Sequence, residues 1–226
     1  MTTTQKRRPG RPPSDALLPE PEQILQRGLE AFAELGYEGV SVRQLNERLG
    51  MGHTFIHDRY ESKEAFWRAV VGRAIGQITD AVMAALAAPK DGDDLTMLTA
   101  SVQAFHQAAA QRPHLSRVVD YEAGRDSPRL GYLYTLMSPL NNAARPVFDR
   151  LVRAGTMRDI PWYLFHFAVT KPLAMYGQVP LARLFGRPDD AEDHTVMSTL
   201  VLHGLLMCPT DVAEERPSHA SGHKET

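Results

Sequence analysis

Hydrophobic residues recur every three or four positions along most of the chain, and no stretch sustains an alternation of apolar and polar residues. That spacing predicts helices rather than strands, because residues three and four apart share one face of a helix. The pattern therefore predicts an all-α protein of roughly nine helices. The sharpest apolar stripe consists of Trp67, Val71, Ile75, Ile78, Val82 and Leu86.

Start and stop signals locate the first three helices. A first helix with one apolar face ends near Gly36, since glycine commonly terminates helices. Ser41 and Gln44 form a capping box that starts a second helix, and Gly50 ends it. Only two residues then precede a third, short helix at about residues 53–60.

The rest of the chain is also predicted to be helical. Ser62 is the expected N-cap of the long fourth helix. Pro139 and Pro146 are expected to kink or divide a later helix, and Pro161 suits a first helical position. The predicted helices of this part are residues 95–110, 113–121, 129–154, 161–176 and 191–208.

Residues 41–60 have the spacing of a helix-turn-helix, in which two helices meet at a short turn containing glycine. The second helix of such a unit fits the major groove of DNA and turns polar side chains to the base edges. Here Ile56 and Tyr60 are spaced to anchor the helix inward, whereas Phe55 either contacts a thymine methyl group or packs on the second helix. Spacing alone also allows a corner of a helical bundle that contacts no DNA.

Four stretches of the segment 24–70 follow one another in a fixed order and spacing: 32–37 (FAELGY), 41–45 (SVRQL), 47–50 (ERLG) and 60–66 (YESKEAF). With these stretches the segment resembles the N-terminal domain of transcription regulators of the tetracycline-repressor (TetR) family. The resemblance implies a three-helix DNA-binding domain joined to a larger helical domain for ligand binding and dimerisation. The implied divisions are a basic disordered arm (1–19), a DNA-binding head (20–66), a ligand-binding and dimerisation body (67–208) and a disordered tail (209–226).

The resemblance also assigns DNA contacts. Arg43 corresponds to a residue that reaches a base or phosphate, and Lys63 to a phosphate contact. His57 stands where the family usually has a phosphate-contacting tyrosine, Gly52 where it has a serine, and Phe55 where it has a threonine, so the operator sequence does not follow. The complete predicted set in the head is Ser41, Arg43, Gly52, His53, Thr54, Phe55, His57, Arg59, Tyr60 and Lys63.

The first residues of the chain are basic and rich in proline. Lys6, Arg7, Arg8 and Arg11 have no acidic residue among them, which predicts a disordered arm attracted to a polyanion. Residues 8–12 (RPGRP) resemble the core of an AT-hook, so Arg7, Arg8 and Arg11 are expected to contact DNA, with insertion into the minor groove left open. A merely solubilising tail is the alternative.

The larger domain is expected to hold a small apolar or aromatic effector and to form a homodimer. Two segments, 162–176 and 197–207, are apolar on nearly every side, which predicts burial on every side and a four-helix interface between two chains. The predicted interface residues are Trp162, Phe165, Val169, Leu173, Met197, Leu200, Val201 and Leu205. The predicted pocket residues are Phe105, Tyr121, Tyr132, Met137, Asn141, Phe148 and His166.

Several classes of protein are not indicated. The single cysteine, Cys208, excludes a disulfide framework and a cysteine-rich zinc module, and no cofactor fingerprint or catalytic constellation is present. His53 and His57 are four apart, but no third ligand is near, so no metal is expected. The net charge of −2, the absence of a long apolar run and the basic N-terminus predict a cytoplasmic protein without a membrane span.

Three functional hypotheses follow. The preferred one is a dimeric, bacterial, nucleoid-associated regulator that binds a palindromic operator in double-stranded DNA and acts as a repressor released by its effector. In that hypothesis the ligand tilts the fourth helix and changes the spacing of the two heads. The alternatives are an effector-independent architectural DNA-binding protein and a helical enzyme or lipid-binding bundle that only happens to contain the corner.

Overall fold

Serine and glycine residues delimit the first helices as the sequence predicts. The computed structural model describes residues 19–88 and 93–207. Ser41 Oγ accepts a hydrogen bond from Gln44 N at 3.2 Å, and Gln44 Oε1 accepts one from Ser41 N at 2.9 Å, which confirms the capping box. Gly36 and Gly50 have positive φ angles of 71° and 69°. Gly36 therefore breaks the first helix where expected, although the chain continues in a further turn to Gly39.

Helices account for nearly all regular structure in the described residues, apart from one isolated bridge between Met157 and Leu206. The all-α prediction is confirmed. The helices are α1 (Pro21–Gly39), α2 (Val42–Leu49), α3 (Phe55–Tyr60), α4 (Lys63–Ala87), α5 (Asp94–Ala110), α6 (Pro113–Ala123), α7 (Pro128–Arg153), α8 (Trp162–Thr170), a 3-10 turn (Lys171–Leu173), α9 (Ala174–Gly177), α10 (Val179–Leu184) and α11 (His194–Leu205).

The fourth helix is the central element of the fold. Its predicted stripe is buried throughout, and the helix packs against α1, α5 and α7. Phe66 and Trp67 lie in the same apolar cluster as residues of α1, α2, α3 and α6, so one continuous core joins the N-terminal helices to the rest. A second cluster is formed by α5, α7, α8 and α11 around Phe148 and Phe165.

By length and composition α4 is also apolar enough to cross a membrane, which corrects the expectation that no such run exists. A helix in the core of a fold can be equally long and apolar, because neighbouring helices cover it. Among the described residues, α4 is the one helix that is long and apolar enough to meet this criterion.

Helix α7 is continuous, so of the two expectations for Pro139 and Pro146, a kink or a division of the helix, the division is wrong. Each proline removes the N–H that would bind the carbonyl four residues earlier, on Thr135 and Asn142. Both prolines and both of those residues are exposed, so water can hydrate the freed carbonyls. The helix therefore continues without leaving buried polar groups unpaired.

The later helices are shorter than predicted. The helix expected at residues 161–176 is divided at Pro172 into α8, the 3-10 turn and α9, and Pro161 precedes α8 as its N-cap. The short α10 was not predicted. The last helix ends at Leu205, after which Leu206 is extended and pairs with Met157. Residue 208 and the predicted tail, like the basic arm, lie outside the described residues.

Candidate nucleic-acid interface and ligand chamber

One buried amide fixes α3 against α2. Asn46 is fully buried; its Oδ1 accepts a hydrogen bond from Ile56 N at 3.2 Å, and its Nδ2 donates to His53 O at 2.6 Å. The Ile56 side chain is buried beneath the same turn. These contacts set the position of α3 without using any of its outward side chains.

The residues predicted to contact DNA are for the most part exposed on this unit. Arg43 pairs with Glu47 one turn along α2 at 2.9 Å, with the arginine side chain 80% exposed. The His57 ring nitrogen Nδ1 lies 3.1 Å from Glu61 O, which orients the ring. The exposed members of the predicted set are Ser41, Arg43, Gly52, His53, Thr54, His57 and Arg59.

Two aromatic members of the predicted set pack inward. The Phe55 and Tyr60 ring centroids are 6.1 Å apart in an edge-to-face arrangement, and Tyr60 lies 4.8 Å from Phe66. Both side chains are half-buried against the core of the head. Of the two alternatives for Phe55, packing is therefore the one that the structure contains.

Lys63 has a structural role that the sequence did not indicate. Its Nζ donates to Tyr37 O at 2.9 Å and to Val40 O at 3.0 Å, and it lies 4.2 Å from the centre of the Tyr37 ring. The lysine thus satisfies carbonyls at the end of α1, where a positive charge is favourable. Two of its three N–H donors are thus engaged within the chain, and the phosphate contact assigned to Lys63 stays a prediction.

A cluster of charged and aromatic residues joins the head to the body. Arg129 of α7 donates to Glu122 at 3.0 Å and to Glu38 at 2.8 Å, and its guanidinium lies 3.9 Å from the centre of the Tyr37 ring. Glu122 is buried and also accepts from Ser127 Oγ at 3.1 Å. Sequence reasoning missed this cluster because its members are distant in sequence, with Arg129 and Glu38 91 residues apart, and match no motif.

Tyr121, predicted to line the pocket, belongs to this same boundary. The Tyr121 ring lies so close to Gly36 that a Cβ at Gly36 would be 2.9 Å from it. The guanidinium of Arg125, which follows the end of α6, lies 3.7 Å from the ring centre. The absence of a side chain at Gly36 is what lets Tyr121 approach the end of α1.

A cavity of about 430 Å³ lies in the larger domain between α4, α5, α6, α7 and α8. That volume is in the range of small-molecule sites, and the wall is almost entirely apolar. Four of the predicted residues line it: Phe105, Met137, Asn141 and His166. We call it the chamber.

Three predicted pocket residues lie elsewhere. Tyr121 faces Gly36, and Tyr132 packs on Trp67 with its hydroxyl donating to Arg68 O at 3.4 Å. Phe148 is buried in the second apolar cluster, 4.7 Å from Phe165 between ring centroids. None of the three lines the chamber, so their pocket assignment is corrected.

The chamber has few charged groups on its wall. Lys171 Nζ is paired with Asp120 Oδ1 at 2.7 Å. Arg112 donates through Nε to Gln77 Oε1 at 2.8 Å and through Nη1 to Ala108 O at 2.7 Å, both neutral acceptors. Burial lowers the pKa of His166, and the neighbouring Lys171 lowers it further.

The predicted dimer residues divide into two groups. Phe165, Val169, Leu173 and Leu205 are buried within one chain, which corrects their assignment to an interface. Leu200 is 62% exposed, and Trp162, Met197 and Val201 are half-buried. The uncovered apolar surface that α8 and α11 share also includes Tyr163, Leu164, Phe167 and Val196.

The arm residues Arg7, Arg8 and Arg11 lie outside the described residues, so their predicted DNA contacts stay predictions. Within residues 19–88 and 93–207, no group of three or more metal-ligating side chains converges.

Comparison with known proteins agrees with the geometry of the head. The family model for bacterial regulatory proteins of the tetR family matches residues 24–70. An uncharacterised HTH-type transcriptional regulator of Bacillus subtilis, YezE, is 35% identical over 66 residues, which are 29% of this chain and 34% of that protein. The match thus spans about a third of the relative's length.

Solved structures share the fold over most of the chain. The regulator PfmR of Thermus thermophilus has a TM-score of 0.62 and 22% identity, covering 81% of this chain and 95% of its own. KstR2 of Mycobacterium tuberculosis, a ketosteroid transcriptional regulator, has a TM-score of 0.65 and 16% identity, covering 82% and 94%. FadR of Bacillus subtilis, solved with stearoyl-CoA, has a TM-score of 0.61 and 15% identity, covering 81% and 96%.

The N-terminal unit and the helical body behind it define a helix-turn-helix transcription regulator. More particularly, residues 24–70 match the DNA-binding domain of the tetR family of bacterial regulatory proteins, and the rest of the chain shares its fold with solved regulators of that family.

Proposed function

We propose that the protein is a homodimeric transcriptional repressor that binds a palindromic operator and leaves it when a small effector occupies the chamber. The observation that carries this proposal is α3, whose outward residues are polar and exposed while Asn46 and Ile56 hold its inner side. A short helix mounted in this way is suited to the major groove.

An apolar chamber in the second domain supports control by an effector. Its volume of about 430 Å³ fits a small organic molecule. FadR of Bacillus subtilis, which shares the fold, was solved in complex with stearoyl-CoA, so a protein of this fold holds a ligand with a long apolar chain. We extend only the general class, a largely apolar small molecule, to this chain.

Coupling between chamber and head has two routes. Helix α4 lines the chamber through Ile75 and Ile78 and begins in the head at Lys63. Helices α6 and α7 also line the chamber and contact the end of α1 through Tyr121 and Arg129. A ligand that favours one arrangement of these helices shifts DNA affinity by its differential binding energy, typically about 1–3 kcal/mol.

The uncovered apolar surface of α8 and α11 supports dimerisation. An exposed patch of this kind is typical of a protein interface, and two-fold pairing would present two copies of α3 to successive major grooves. Phe167→Glu should convert the dimer to a monomer in analytical ultracentrifugation, whereas Met83→Glu, at an exposed apolar position on α4, should leave the dimer intact. A Phe167→Glu protein that remains dimeric would place the interface elsewhere.

DNA binding is tested by selecting duplexes from a random library with the full chain. We expect a palindrome with half-sites about 34–36 Å apart. His53→Ala should change the preferred base, and Arg59→Gln should weaken all sequences alike and reduce the salt slope by about one. Arg153→Gln, an exposed charge at the far end of α7, is the matched control and should change neither. Absence of enrichment at low salt would contradict the proposal.

The direction of control is tested in a reporter strain. Repression predicts that removing the protein raises expression from the selected operator, and that chamber ligands do the same in its presence. Lower expression on removal would indicate an activator. Operator binding that no chamber ligand changes would favour the effector-independent alternative.

A further inference from the structure

We infer that the chamber selects a monoanionic amphiphile, a molecule with an apolar body and a single carboxylate, and that Arg112 binds the carboxylate. This inference rests on the proposed effector site and adds the chemical class of its ligand. The relevant juxtaposition is an arginine with only neutral partners on the wall of an otherwise apolar chamber.

The charges of the chamber wall do not cancel. Apart from Tyr134, a phenol that is neutral near pH 7, its ionisable residues are Arg112, Asp120, His166 and Lys171. Asp120 and Lys171 neutralise each other through their contact at 2.7 Å. His166 is half-buried, and burial together with the neighbouring Lys171 lowers its pKa, which disfavours the charged ring. One positive charge, that of Arg112, therefore remains without a counterion on the wall.

Arg112 keeps part of its hydrogen-bonding capacity free. A guanidinium carries five N–H donors and stays charged at all ordinary pH values. Its Nε and Nη1 donate to Gln77 and to the Ala108 carbonyl, which hold the side chain in place. Its Nη2 donates to no acceptor within the described part of the chain. The side chain is thus positioned beforehand, with donors left for a ligand.

A single carboxylate matches this site better than a phosphate or a neutral polar group. Arginine binds carboxylates through short, charge-assisted hydrogen bonds, and these are stronger where water is displaced by an apolar wall. A phosphate monoester carries a charge of about −1.5 to −2, which one uncompensated cation does not balance. A neutral head group would leave the arginine without a counterion.

The rest of the wall defines the body of the ligand. Aromatic and aliphatic side chains from five helices surround the cavity, including Phe105, Leu133, Met137 and Phe165. Burial of methylene groups against such a surface contributes to affinity in proportion to the area covered. An unbranched or ring-containing hydrocarbon body therefore supplies affinity, and the carboxylate supplies selectivity.

Calorimetric titration of the full chain at pH 7.5 tests the inference with three probes: decanoate, 1-decanol and decyl phosphate. We expect decanoate to bind at least about tenfold more tightly than 1-decanol, the advantage of a charge-assisted hydrogen bond. Arg112→Gln should remove that preference while keeping the affinity for 1-decanol. Arg112→Lys should retain part of it, because the charge remains, and Arg153→Gln should retain all of it.

Ala144 lines the chamber, so Ala144→Trp places a large side chain in the cavity. This variant should bind neither decanoate nor 1-decanol, which would locate both ligands in the chamber. Equal affinities for decanoate and 1-decanol, an unchanged preference in Arg112→Gln, or tightest binding of decyl phosphate would overturn the carboxylate inference while leaving an apolar effector site. If none of the probes binds, the inference falls as well, and the operator selection described above decides separately whether the DNA-binding function stands. Circular dichroism of each Arg112 variant establishes that the fold is retained.

Discussion

Tyr37 and Arg129 meet across the boundary between the DNA-binding head and the body, with the guanidinium carbon 3.9 Å from the centre of the tyrosine ring. Lys63 lies on the same ring at 4.2 Å, so one aromatic side chain contacts a cation from α4 and another from α7. Cation–π contacts of this kind contribute about 0.5–2 kcal/mol each. The end of α1 is consequently held by two of the helices that line the chamber.

Removing the Arg129 side chain should destabilise the whole chain. Arg129→Leu deprives the buried Glu122 of its cation, and breaking a buried pair on one side costs about 3–5 kcal/mol. Urea unfolding should show this loss, whereas Glu38→Gln, which removes only the exposed partner, should change stability by less than about 1 kcal/mol. Equal effects of the two variants would contradict the role assigned to Glu122.

Gly36 should not tolerate a side chain. Gly36→Ala places a Cβ 2.9 Å from the Tyr121 ring at a backbone conformation with φ of 71°, and we expect a loss of about 2 kcal/mol or more in thermal unfolding. Gly39→Ala is the matched control, because nothing lies within 4 Å of its Cβ position. A Gly36→Ala protein as stable as the control would show that α1 ends differently in solution.

Substitution of Lys63 should lower the stability of the chain, whereas substitution of Arg59 should lower its affinity for DNA. Lys63→Met loses two hydrogen bonds to carbonyls at the end of α1 and should destabilise the chain by about 1–3 kcal/mol. Arg59→Met removes an exposed charge and should leave the melting temperature unchanged while weakening DNA binding. If Lys63→Met instead melts like the wild type and only flattens the salt slope, the phosphate-contact assignment is the right one.

Stability should fall as the solution becomes acidic, in part through His106. Its Nε2 lies 3.0 Å from Val169 O and so carries the proton, while Nδ1 is buried without a partner. Burial lowers the pKa of His106 in the folded chain. Near pH 6.5 the unfolded chain therefore binds a proton on this histidine, whereas the folded chain does not yet bind one. The free energy of unfolding therefore decreases as pH falls from about 7.5 to 5.5.

The measurement is urea unfolding at several pH values in this window. His106→Gln should show a shallower decrease than the wild type, whatever its stability at pH 7.5, and the exposed His203→Gln should keep the full decrease. A wild-type curve that is flat over this window would show that His106 is accessible to protons in the folded state.

Local signals predicted the head well and the body only in outline. Ser41, Gly50 and Ser62 cap helices through contacts with residues close to them in sequence, so these helix ends can be predicted from the sequence. An apolar residue such as Phe165 or Val169 suits the core of one chain and an interface between two chains equally well. Periodicity therefore cannot distinguish these two locations. The same limit explains why Tyr132 and Phe148 were assigned to the pocket.

Long-range pairs could not be predicted from one sequence. Arg129 contacts Glu38 and Tyr37 because α7 passes the end of α1, which is a property of the assembled fold. A proline predicts a kink or a break in a helix, and whether water can hydrate the freed carbonyls near Pro139 and Pro146 depends on exposure, which is a property of the folded chain. Pro172, by contrast, is a local signal for the end of α8.

The Asn46 side chain positions α3 through hydrogen bonds to backbone atoms of His53 and Ile56, and not through side chains of that helix. Substitutions at the outward positions of that helix therefore leave its attachment untouched, and the surface that reads the bases can diversify independently of the scaffold beneath it. Descendants of such a protein can acquire new operators by changing a few exposed side chains, provided that this single amide is retained.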